Sequence, residues 1–130
     1  MNEAALLFTA LLFGGTTLFA FGFTGFMFNV LSADTAGTVI RRAFPWFYLF
    51  VLGSSLLAAL LAIGGDMASV VILALIAGTT VIARQILMPA INRATDAGSK
   101  RLFQVLHSTS VLLTLAHIVA AGVVLIRLAN

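Results

Sequence analysis

The chain has 130 residues, 62% hydrophobic and only 8% charged, with a formal net charge of +3 and no cysteine. Soluble domains carry about 25% charged residues, and a small one cannot hide this much apolar surface from water. A soluble enzyme, a nucleic-acid-binding module and a disordered tail are excluded. So are disulfides, thiolate metal sites and covalent haem attachment.

A membrane-crossing helix needs about 20 apolar residues, so the charges act as dividers. The first span is expected over 4–31, in the uncharged run between Glu3 and Asp34. It lacks a positive leading segment and is too long for a signal-peptide core, so it reads as retained. The second, 44–63, places Pro45 at its start, where the missing N–H does no harm. The third, 68–91, holds Arg84 inside it and Pro89 near its end, and the fourth covers 102–126. A membrane barrel would need at least eight alternating, edge-closed strands. The fold class is therefore all-α: one four-helix transmembrane domain over 1–130.

The connections 32–42 and 92–101 carry five of the seven basic residues, whereas 64–67 holds only Asp66. Basic loops stay cytoplasmic. The expectation is a multi-pass protein of the cell (inner) membrane, both basic loops cytoplasmic and both termini on the far side.

Spans one and three run in the same direction and end alike. Met27–Thr38 aligns without gaps over Met88–Ser99, pairing Met27 with Met88, Ala33 with Ala94, Ala36 with Ala97 and Gly37 with Gly98. After a two-residue gap, Arg42 meets Arg101, Phe44 meets Phe103 and Tyr48 meets His107. This reads as two pseudo-repeated helix hairpins about an axis along the membrane normal, with Tyr48 and His107 at matching depths.

At Gly14-Gly15, Phe28-Asn29-Val30-Leu31, Ala36-Gly37 and Phe44-Pro45-Trp46-Phe47-Tyr48, the chain resembles the first half of the transmembrane-protein-205-like family. Arg84, Met88-Pro89-Ala90-Ile91-Asn92, Asp96, Phe103 and Leu106-His107-Ser108-Thr109-Ser110-Val111 resemble its second half. The most specific parts are the Phe-Pro-x-x-Tyr and Leu-His-x-x-Ser patterns. The resemblance implies a small four-helix membrane protein, largely a domain of unknown function whose members have been linked to tolerance of metal-containing drugs. It implies no catalytic residue.

Ionisable residues inside a bilayer are costly and usually face the bundle interior or mark a pathway. Arg84 and His107 fall at similar depths near the basic side, with Asn92 and Tyr48 close to that level. His107, Ser110, Thr114, His117 and Ala121 keep the three-to-four spacing of one helix face. Arg84, His107, Ser110, Asn92, Tyr48, Thr114 and His117 are thus the expected polar ligand site. Bland alternatives stand beside it: Arg84 snorkelling to headgroups, and the stripe serving as interhelical hydrogen-bond glue.

The expected activity is handling or permeation of a small solute or ion. A soft-metal variant uses Met27, Met88 and His107, since thioethers with imidazole suit Cu(I). A haem b- or quinone-binding subunit is the competing reading, although His107 and His117 share one helix about 15 Å apart and cannot clamp one haem. An accessory membrane protein without its own ligand is the third. No nucleophile–base pair, phosphate loop or hydrolase helix points to an enzyme. The expected partners are the lipid bilayer and either a second copy or a larger membrane complex, with no nucleic acid.

Overall fold

A computed structural model describes residues 2–130. Four helices account for almost all of them: α1 (Asn2–Val30), α2 (Ala33–Ala62), α3 (Met67–Asp96) and α4 (Lys100–Ala129). They are 29, 30, 30 and 30 residues long and strongly apolar. At 1.5 Å per residue such helices reach about 45 Å, against a hydrocarbon layer of about 30 Å. Each therefore crosses the bilayer and projects into both interfaces. Outward faces carry large apolar side chains, among them Leu7, Leu18, Leu60, Leu75, Ile86, Leu112 and Ile126. In water these would be a liability; in lipid they are the solvated surface.

The helices extend beyond the apolar spans because capping and apolarity set different boundaries. Ser32 caps α2, its hydroxyl oxygen accepting the Thr35 N–H at 3.3 Å. Asp34 stands in the first turn, where a carboxylate suits the positive end of the helix. The expected loop 32–42 is therefore mostly helix, and Pro45 lies inside α2 rather than at its start. α3 likewise continues through Arg93 to Asp96. The turns that remain are short. Gly64 and Gly98 take the positive φ values, 91° and 69°, that let the chain reverse there.

α2 packs against α1 and α3, and α4 packs against the same two, so the helices form a square in chain order. Two ends can be distinguished: the basic end, with the α1–α2 and α3–α4 turns, and the terminal end, with the α2–α3 turn and both termini.

Burial is concentrated toward the terminal end. In α1 the buried residues are Ala5, Thr9, Leu12 and Thr16, with none beyond. In α4 they are His117, Ala121, Val124 and Leu128, with none before. α2 buries only Ala36 before Phe47, and α3 only Ala94 after Ala83. Small residues make the packed half close: Phe50 crosses α1 directly over Gly15, where a Cβ would fall 2.5 Å from its ring. Several hydroxyls there bond within their own helices, as in Thr9 to the Ala5 carbonyl at 2.7 Å and Thr80 to the Ile76 carbonyl at 2.6 Å, whereas the buried Thr16 hydroxyl has no partner among the described residues. Such back-bonding keeps polar atoms paired where no water reaches.

The two hairpins share a layout of helix lengths and of a π-helical turn in the first helix of each. α1 and α3 each run 16 residues, pass through a π-helical turn (Leu18–Phe23 and Ala83–Leu87), and resume as α-helix. α2 and α4 are both 30 residues long. Counted from the helix starts, Tyr48 falls on Leu115. The sequence alignment matched the ends of spans one and three, whereas this count runs from the helix starts. Tyr48 reaches Ser110, one turn deeper than His107.

Candidate functional site

Where the packing ends, a cavity of about 720 Å³ begins, bounded by all four helices in their basic-end halves. α2 builds one wall because its helix starts at Ala33. From there Gly37, Arg41, Phe44, Tyr48 and Val51 share a face, and the first four line the cavity. Phe19 enters from the π turn of α1 and stacks on Phe47 at a centroid distance of 4.2 Å, with Phe44 edge-on at 5.2 Å. Met88, Ile91 and Asn92 come from α3. From α4 come Phe103, His107, Ser110 and Thr114, the Phe103 ring stacked on His107 at 5.4 Å.

The result is an amphiphilic chamber. Apolar side chains, several of them aromatic, supply most of its wall, and Tyr48, Asn92, His107, Ser110 and Thr114 supply hydrogen-bonding groups. Charge is confined to the mouth, where Asp34 and Arg41 lie. Arg41 is held there by a two-pronged bond to Asp96, at 2.8 and 2.9 Å, tying α2 to α3. The pair is exposed, so it contributes little stability but fixes the rim.

The expected site residues divide accordingly. Tyr48, Asn92, His107, Ser110 and Thr114 come together on the cavity. Arg84 does not join them: it lines a separate shallow groove with Leu49, Leu52, Thr80, Val81 and Gln85. The π turn sets where α3 points its side chains, and a straight α-helical count does not reveal it. His117 continues the His107–Ser110–Thr114 face but lies in the packed half, its Nε2 2.7 Å from the Thr79 hydroxyl. Thr79 also donates to the Leu75 carbonyl at 2.7 Å. Of the Met27, Met88 and His107 set, Met88 and His107 reach the cavity and Met27 is not among its lining residues. Among the described residues no group of three or more His, Cys, Asp or Glu side chains could hold a metal ion.

The terminal end is closed by a second ion pair. Arg127 donates to both Asp66 oxygens at 2.7 and 2.9 Å, and Ser69 donates to Asp66 at 2.5 Å. These bonds, Arg127 foremost, hold the Asp66 carboxyl well below the usual carboxylate range. The clamp joins the α2–α3 turn to the last turn of α4.

The aromatic wall and the Arg41–Asp96 rim were missed because residues 32–42 read as a loop. The legible signal was the Ser32 cap followed by the 37–41–44–48–51 spacing, which only a helix begun at Ala33 places on one face.

Four long apolar helices around a half-packed core define the class: a four-helix, multi-pass membrane protein. The chain belongs to the family described as a domain of unknown function, DUF4149, which matches residues 7–100. No curated protein matches the chain, and no solved structure does.

Proposed function

We propose that the protein binds and handles a small amphipathic solute in the basic-end cavity, with an apolar body against Phe19, Phe44, Phe47 and Phe103. Its polar head would hydrogen-bond to Tyr48, Asn92, His107 and Ser110. The observation that carries this reading is the one-ended burial: the terminal half is packed, and the basic half holds a chamber with a polar strip. Predominantly apolar walls with a few convergent polar groups are what small-molecule sites look like. The interior wall carries no Asp, Glu, Lys or Arg away from the mouth, which favours an amphiphile over a free ion. His117, engaged by Thr79 in the packed half, is not offered to the chamber, which weakens the haem reading.

The resemblance of the sequence to the transmembrane-protein-205-like group points to the same location. Its two most specific patterns contribute Phe44, Tyr48, His107 and Ser110, and all four line the cavity. The basic end faces the cytoplasm by the positive-inside rule, so loading occurs from that side or from its leaflet.

The test is photocrosslinking in native membranes with a diazirine-bearing medium-chain alcohol, adducts being mapped by mass spectrometry. Adducts should concentrate on Phe44, Phe103, Ser110 and Thr114, compete with unlabelled alcohol, and disappear in Ser110→Trp. Adducts spread evenly over lipid-facing Leu60, Leu75 and Leu112, with no competition, would refute the reading.

A further inference from the structure

Arg84 poses a problem that the cavity does not solve. It stands about 18 Å from the basic end of α3 at 1.5 Å per residue, which puts it about 10 Å inside the hydrocarbon boundary. Pro45 is at the same height on α2, and Arg84 Nε donates to its carbonyl at 3.2 Å. One terminal nitrogen donates to Gln85 Oε1 at 3.0 Å. Both partners are neutral. The two ion pairs found among the described residues, Arg41–Asp96 and Arg127–Asp66, use other arginines. The guanidinium is therefore turned toward α2 and has no carboxylate opposite it among the described residues. An intramembrane charge so placed requires a counter-charge or a water-filled defect.

The surroundings say where a counter-charge would come from. The groove opens outward between α2 and α3, not into the bundle, and its flanks are Leu49, Leu52 and Val81. Ile82 and Ile86 beside it are more than half exposed, and Trp46, one turn from Leu49, is 74% exposed. A polar ligand from water would have to cross this apolar collar, whereas a lipid is already there. Acyl chains suit the leucine and isoleucine walls, and a phosphate suits the open side of a guanidinium fork. The rest of the basic end carries Arg41, Arg42, Arg93, Lys100 and Arg101, so its field favours anionic lipid over zwitterionic.

We propose that the Arg84 groove is a binding site for the phosphate headgroup of an anionic phospholipid, drawn below the usual headgroup level between α2 and α3. The site is independent of the cavity ligand. The chain contains one tryptophan, Trp46, on the lip of the groove, so the intact protein reports on its own neighbouring lipid.

The experiment reconstitutes the full chain in vesicles of brominated phosphatidylcholine, which quenches Trp46, and replaces part of it with unbrominated phosphatidylglycerol. The expected result is recovery of emission showing about fivefold enrichment of phosphatidylglycerol next to Trp46, the scale of one basic residue at a membrane surface. Arg84→Gln should bring enrichment to near unity, while Arg42→Gln should leave most of it. Val81→Phe, which narrows the groove and leaves the charge, should also reduce it and serves if Arg84→Gln fails to fold. Equal enrichment in wild type and Arg84→Gln would overturn the proposal and assign the effect to the general field of the basic end. Unchanged enrichment in Val81→Phe would overturn the groove. A Trp46 response to inorganic phosphate in pure phosphatidylcholine vesicles would overturn the lipid assignment in favour of a soluble oxyanion.

Discussion

Thr79 and His117 show how single polar residues are accommodated in the packed half. The Thr79 hydroxyl lies 2.7 Å from both the Leu75 carbonyl and His117 Nε2, so it partners its own helix and α4 together. Thr79→Val removes the hydroxyl and leaves the His117 ring nitrogen without this partner in a buried place. Interhelical bonds in membranes average about 0.6 kcal/mol and reach about 1.7. Unfolding of Thr79→Val in mixed detergent micelles should fall in that range below wild type, whereas His107→Ala, on the cavity wall, should be nearly silent. Asp66 offers a second residue-scale test. Its folded-state pKa is depressed below 3.8 by Arg127 and Ser69, so its stabilising effect is complete above about pH 4. That effect is lost only as the pH falls through the lower, folded-state value. Carbon-13 NMR of Asp66 should show a midpoint below the ordinary carboxylate range, and Arg127→Gln should raise it toward 3.8.

At the scale of elements, the physics divides between two signals. The four spans were legible because uncharged runs are written directly in the sequence, and the α4 stripe was legible because His107, Ser110 and Thr114 keep helical spacing. The α2 start was not, because apolarity marks where the bilayer lies while the Ser32 cap and Asp34 mark where the helix begins. The fate of Arg84 was hidden for a related reason: its direction depends on the π turn, which has no marker residue. The turns themselves make a prediction. Gly98 reverses the chain at φ 69°, and a Cβ there meets no neighbour, so Gly98→Ala isolates backbone strain. It should cost about 1 kcal/mol in the same unfolding assay.

The whole molecule is a bundle sealed at one end and open at the other. The seal combines the interlocked Leu12, Val51, Leu73, Ile76 and Val124 side chains with the Asp66–Arg127 clamp; the opening is the aromatic chamber behind Arg41 and Asp96. A cysteine-free chain makes this asymmetry directly measurable. Single cysteines replace Ser99 at the basic turn, Ser110 in the chamber and Ser55 in the core, and each is reacted in sealed membranes with a charged, membrane-impermeant thiol reagent. The account predicts that the cysteine at 110 reacts from the same side as that at 99, more slowly, and never from the opposite side. The cysteine at 55 should stay unreactive until the protein is unfolded. Labelling at 55 as fast as at 110, or at 110 only from the side opposite 99, would contradict it.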